Sequence, residues 1–190
     1  PFNSGNKLGW VMFDACLMST VETAFVFSDH AEYLIASEET IPAYGLYYSA
    51  FNGLTSSNVN AVDVAKKVCM ASIDYNNSLN YSSVTWSTSY VPFSCLDLSK
   101  VDSVESEMKA FFKDLNRNIT KNFNQMSYAR DKMYTYGSFS DGEKVYDLID
   151  MVGFVKAVKF LSPEKGQALL DALSEMIVWN YSGTAHDASN

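Results

Sequence analysis

An α/β fold, with a mainly parallel sheet flanked by helices, is predicted by three observations. Leu8-Gly9-Trp10-Val11-Met12-Phe13 is a short, nearly all-apolar run that stops at Asp14, the pattern of a strand buried on both faces. A second run, Glu32-Tyr33-Leu34-Ile35-Ala36-Ser37, follows one helix-length later, so the two strands and their connection make a βαβ unit. Farther along, apolar residues recur at steps of three and four over long stretches, as they do in helices that bury one side.

Each element has its own grounds. Residues 8–14 are expected to form a central strand. From Cys16 to Phe27 the apolar spacing is helical, with Ser19 as the capping residue and Glu22 three positions later. The strand at 32–37 ends in Glu38-Glu39 and a turn at Ile41-Pro42-Ala43-Tyr44-Gly45. After Ser56-Ser57-Asn58, the positions Val59, Val62, Ala65, Val68, Cys69 and Ser72 line one side of a helix reaching about Tyr75. Residues 76–89, rich in Asn, Ser, Thr and Tyr, read as loop or weak strand, and Phe93-Ser94-Cys95-Leu96-Asp97-Leu98 as a further strand. Ser99 is expected to cap one long helix running from Val101 to Phe123. Another helix is expected over residues 145–160. Ser162-Pro163-Glu164-Lys165 opens a last one, whose apolar side runs from Ala168 to Val178. No repeat or long linker divides the chain, so residues 1–190 read as a single unit.

Composition narrows the function. The chain has 190 residues, 14 Lys and Arg against 22 Asp and Glu, and a net charge of −8. A nucleic-acid binder needs a basic patch to displace counterions from phosphates, and none is found; basic partners suit this field better. No apolar run reaches the roughly 18 residues that span a bilayer, and the N-terminus shows no signal-peptide pattern. Cys16, Cys69 and Cys95 are too few and too scattered for a disulfide scaffold or a zinc knuckle.

Cys16 is the residue with a chemical address. It is expected where a strand ends and a helix begins, the place where open α/β sheets hold ligands and where a helix dipole favours a thiolate. A free cysteine in that position is also simply a small buried hydrophobe in many proteins.

The segment around it is more specific. Val11-Met12-Phe13-Asp14-Ala15-Cys16-Leu17-Met18-Ser19-Thr20-Val21-Glu22-Thr23-Ala24-Phe25 closely resembles the nucleophile segment of the clostripain family of cysteine peptidases, an apolar strand, then Asp-Ala-Cys-Leu-Met, then a helix. Residues 31–45, Ala-Glu-Tyr-Leu-Ile-Ala-Ser-Glu-Glu-Thr-Ile-Pro-Ala-Tyr-Gly, are similar to that family's next strand and pocket loop, and Tyr146-Asp147-Leu148-Ile149-Asp150 to a later helix start. The resemblance implies the caspase-type fold, shared with caspases, gingipains and legumains, with a Cys/His dyad at the strand ends. It implies that Cys16 is the nucleophile and that its backbone N–H is an oxyanion donor. It further implies that Asp14 lines a primary pocket for substrate Arg or Lys, with Ser37, Glu38 and Glu39 as another wall.

Three points depart from the family pattern or lie beyond it. The family's catalytic His precedes the Cys, whereas this chain begins 15 residues before Cys16; His30 and His186 are both read as loop histidines. The chain is therefore expected to be the Cys-bearing part of a caspase-like domain without its N-terminal strands, either a self-processed heavy chain or a fragment, with the His on a separate light chain. Ala43 stands where relatives often have Gly, which leaves Arg against Lys open. Clostripain itself depends on calcium, but Asp141, Glu143, Asp147 and Asp150 lack EF-hand spacing and read as a solvated face, so no metal site or cofactor is assigned. The expected activity is a bacterial, exported cysteine endopeptidase cleaving after basic residues. The alternatives are a non-catalytic caspase-like domain that binds a peptide or partner, and a redox or acyl-transfer protein, for which Cys16 has no resolving cysteine nearby.

Overall fold

The computed structural model describes residues 6–54, 59–79, 91–138 and 144–182. It divides into two compact units, Pro1–Leu98 with Ile177–Asn190, and Ser99–Met176.

The first unit holds a sheet of four strands in the order β1 (Val11–Met12), β2 (Tyr33–Ser37), β3 (Phe93–Asp97), β6 (Ile177–Tyr181). β1 and β2 pair in parallel, Val11 opposite Leu34 and Met12 opposite Ile35, with Leu8 bridging Ala31 upstream. Between them lies α1 (Val21–Phe27), making the expected βαβ unit. Helix α2 (Ala61–Ser78) starts at Asn60, whose side chain accepts from the Asp63 N–H at 2.9 Å. Its Val64, Val68 and Cys69 pack with Ile35, Phe93 and Cys95 into a buried cluster that Met12 also joins. Phe13 alternates with Met12 and so faces the other side, where its ring meets Phe27 of α1 edge to face at 5.1 Å. Helices thus cover both faces of this sheet, the caspase-like α/β arrangement.

The second unit contains α3 (Val101–Arg117), α4 (Ile119–Asp131), the hairpin β4 (Thr135–Ser138) with β5 (Lys144–Ile149), α5 (Met151–Val158) and α6 (Pro163–Met176). Helix α6 packs on α3 and α5. The approach is close at Gly166, where a Cβ would stand 3.2 Å from the Phe111 ring. Ser162 ties the start of α6 to α3 by donating to Asp114 Oδ2 at 2.6 Å.

Several expectations are corrected. Within the described sheet parallel pairing is confined to β1 and β2; β2–β3 and β3–β6 are antiparallel. A helix between two strands reads as a parallel crossover, but β3 lies beside β2 in the opposite direction, so the connection through α2 is not a second βαβ unit. The strand expected over 8–14 is reduced to a short, half-buried ladder that, among the described residues, pairs with β2 along one edge. Helix α1 begins at Val21, not near Cys16, because Thr20 rather than Ser19 caps it, accepting from the Thr23 N–H at 3.0 Å. The long helix expected to reach Phe123 breaks at Asn118, beyond which Ile119 and Phe123 are exposed; its first residue follows a 3-10 turn over Leu98–Lys100, and Ser99 is not its cap. Residues 145–149 are strand, not helix, since Asp150 caps α5 by accepting from the N–H groups of Val152 and Gly153. The apolar side of α6 ends at Met176, and the alternating Ile-Val-Trp-Asn-Tyr that follows is β6. Most of the loop expected over 76–89 lies outside the described residues; residues 76–78 are the end of α2.

Candidate active site

The chain leaves β1 through Phe13, whose N–H still bonds the Ile35 carbonyl at 2.9 Å. The next turn is fastened to the continuation of β2: Leu17 N–H donates to Glu39 O at 3.2 Å and Ser19 N–H to Ser37 O at 2.9 Å. Leu17 takes a left-handed φ of 60°, a conformation that costs a branched side chain on the order of 1 kcal/mol. That reversal follows directly on Cys16, which is exposed. Cys16 Sγ accepts from the Ile41 N–H at 3.3 Å and donates to the Ile41 carbonyl at 3.7 Å. The Cys16 N–H itself makes no hydrogen bond among the described residues, so a donor is available beside the thiol. Because α1 starts five positions downstream and has 7 residues, its dipole is not what prepares this cysteine.

Asp14 is also exposed, and it organises the facing loop. Its Oδ1 accepts from the Leu46 N–H at 2.9 Å and its Oδ2 from the Tyr48 hydroxyl at 2.8 Å. The bond to Asp14, and then its charge, raise the Tyr48 phenol above its ordinary value. Between those two donors stands Gly45 at φ +69°, where a Cβ would fall 2.5 Å from both carboxylate oxygens. Glycine is therefore required here for both conformation and space.

Helix α2 holds the same loop from behind. Ser72, buried, donates to Val68 O at 2.6 Å and accepts the Tyr47 N–H at 2.9 Å. Asn76 Nδ2 donates to Ser72 O at 2.8 Å and to Gly45 O at 3.2 Å. The Tyr47 and Tyr75 rings stack at 4.4 Å. Leu46 is buried in the α2 cluster, and a small cavity lined by Ile41, Leu46, Ile73 and Phe93 lies beneath the loop.

The other expected site residues have different surroundings. Ser37 is fully buried and bonds the Glu39 main chain in both directions at 3.0 Å. Glu38 accepts from the Ser94 hydroxyl on β3. Glu39 Oε1 accepts from the Thr40 N–H at 2.6 Å. His30 lies at the start of β2, with its carbonyl accepting from Leu8, while Cys16 lies at the far end. His186 lies outside the described residues. Among the described residues no three His, Cys, Asp or Glu side chains gather to hold a metal. Asp150 is a helix cap rather than part of a solvated face; Asp141, Glu143 and the side chain of Asp147 lie outside the described residues.

The thiols also differ. Burial pushes Cys95 up to about 12. It pushes Cys69 further, with the charges of Cys95 and Glu38 adding to the effect. Ile41, Gly45, Leu46, Tyr48, Ser72 and Asn76 were not expected at this site as individual residues; the turn signal at Pro42…Gly45 pointed to the loop but not to what holds it.

The clostripain family model matches residues 2–189, a span that takes in this thiol, the acid two residues before it and the facing loop. The chain belongs to the clostripain family. Solved C11 structures share its fold. An inactive zymogen C11 protease from Parabacteroides distasonis is 18% identical with a TM-score of 0.69, the match covering 95% of this chain and 46% of that one. A secreted C11 cysteine protease from Bacteroides thetaiotaomicron, iotapain, is 19% identical with a TM-score of 0.64, covering 94% and 44%. A clostripain from Bacteroides thetaiotaomicron in complex with a peptide inhibitor, BTN-VLTK-AOMK, is 18% identical with a TM-score of 0.57, covering 94% and 70%. The chain thus spans about half the length of the first of these clostripain relatives. No curated protein matches it.

Proposed function

We propose that this chain is the Cys16-bearing part of a cysteine endopeptidase that cleaves peptides after basic residues. The observation that carries the reading is the exposed Cys16 thiol two residues from the exposed Asp14 carboxylate, both beside one loop. Cys16 Sγ attacks the scissile carbonyl carbon and its proton passes to an imidazole. That imidazole comes from a partner segment, a light chain in a self-processed protein, because the described histidine stands at the opposite end of β2. The Cys16 N–H stabilises the oxyanion. The amine leaves with the proton from the imidazole, and water then hydrolyses the thioester and restores the thiol. Asp14 attracts the substrate's cationic side chain, and the net charge of −8 draws basic peptides toward the site. Export from a bacterial cell is part of the same reading, supported by a neighbour described as secreted.

The test uses the full-length protein as wild type and as Cys16→Ala, followed by intact mass, N-terminal sequencing and labelling with basic and acidic acyloxymethylketones. The expected result is a wild type that appears as two associated chains and takes the basic label on Cys16, with a variant that stays whole. A wild type that takes neither label and cleaves no Arg or Lys reporter would overturn the reading and leave a caspase-like partner-binding domain.

A further inference from the structure

The arrangement at Asp14 bears on which basic side chain it can take. A bidentate guanidinium docks across the open end of a carboxylate, one N–H to each oxygen in the carboxylate plane. At Asp14 that end is occupied. The Cβ position of Gly45 is equidistant from the two oxygens, 2.5 Å from each, and 2.8 Å from Cγ, which places it beyond the oxygens and in line with the open end. The Gly45 main chain is one bond from that point, so it stands where an arginine fork would sit. Nor is it loosely placed. Its N–H donates to Pro42 O at 2.8 Å, its carbonyl accepts from Asn76, and the next N–H, of Leu46, is the one bonded to Asp14 Oδ1.

What remains is a side approach to a single oxygen. Tyr48 donates to Oδ2 at 2.8 Å, which leaves the phenol oxygen's lone pairs as acceptors next to the carboxylate. Two acceptors close together at one exposed spot match a compact ammonium, which needs no planar fork.

We propose that Gly45, held in place by Asn76, caps the open end of Asp14 and makes the primary pocket select Lys over Arg, with Tyr48 as a second ligand for the ammonium. The proposal rests on the peptidase reading above. Asn76 acts through Gly45 and is a positioning residue. Removing its amide frees the Gly45 carbonyl, lets the loop draw back and opens the fork position.

The experiment measures kcat and KM of the full-length protein on paired reporter peptides differing in Lys or Arg before the scissile bond, for wild type and Asn76→Ala. The wild type is expected to favour Lys by about tenfold or more in kcat/KM, mainly through KM, since one lost close contact in a specificity pocket is worth about that much. Asn76→Ala, a favourable helix residue, is expected to narrow the ratio, mainly by lowering KM on the Arg peptide. A wild type that cleaves Arg as well as Lys or better overturns this inference and leaves the peptidase reading standing. A lysine preference that Asn76→Ala leaves untouched overturns the role of Asn76. If neither peptide is cleaved, the peptidase reading fails and this inference falls with it.

Discussion

At the residue scale the three thiols are chemically unequal. Cys16 is exposed, whereas Cys69 and Cys95 are buried and held as neutral thiols well above the ordinary value of 9.0. Iodoacetamide at neutral pH should therefore modify one thiol per native chain quickly, and peptide mapping should locate it at Cys16; labelling of Cys69 or Cys95 at a similar rate would show that the α2 cluster opens readily. The same burial carries a pH dependence. The folded-state values lie above the unfolded ones, so the stability that these thiols contribute is whole below about pH 8.5 and is lost as pH rises toward their folded values. Chemical denaturation at pH 7 and pH 10 should give a lower midpoint at the higher pH, and the difference should shrink in Cys69→Ala. At this scale the sequence was legible where function is local. Asp14 and Cys16 stand in one short contiguous motif. Gly45, Tyr48, Ser72 and Asn76 reach them through a loop and a helix far along the chain, so neither spacing nor periodicity could single them out.

At the element scale, caps decided more than periodicity did. Thr20 and Asp150 both start their helices later than apolar spacing suggests, leaving Cys16 in a turn and residues 144–149 free to pair with β4. Thr20→Ala removes the acceptor for the Thr23 N–H and should cost about 1 kcal/mol, seen as a Tm a few degrees lower. Because the Cys16 turn is fastened to β2 by its own main-chain bonds, kcat/KM on a Lys reporter should stay close to wild type; a large loss would mean that α1 does prepare the thiol. The misread elements share a cause. Val145 to Ile149 and Ile177 to Tyr181 sit directly against helices without a loop, and an apolar pattern that runs on from one element into the next hides the change of period. Asn118 breaks the long helix although the apolar steps continue past it.

At the scale of the whole molecule, the net charge of −8 acts on encounter more than on chemistry. For a cationic reporter, kcat/KM should fall as ionic strength rises from about 0.01 to 0.15 M, over which the screening length shrinks from roughly 30 to 8 Å. The rate of Cys16 alkylation by neutral iodoacetamide should hardly change; equal sensitivity of both would indicate a salt effect on the fold instead. The α/β class and the βαβ unit were legible because buried strands have a compositional signature. Strand direction after β2 was not, since a helix between two strands is compatible with either direction and no apolar pattern encodes which. The loop over residues 41–47 carries a consequence of another kind. Its ties to the thiol, the carboxylate and α2 pass through the amides of Ile41, Leu46 and Tyr47 and the carbonyl of Gly45. Such ties constrain little of what the exposed Ala43 and Tyr44 display, whereas Gly45, the buried Leu46 and the Tyr47 ring on Tyr75 are fixed by their own side-chain requirements. Positions 43 and 44 can therefore change by drift while the main-chain frame around the thiol and the carboxylate stays as it is.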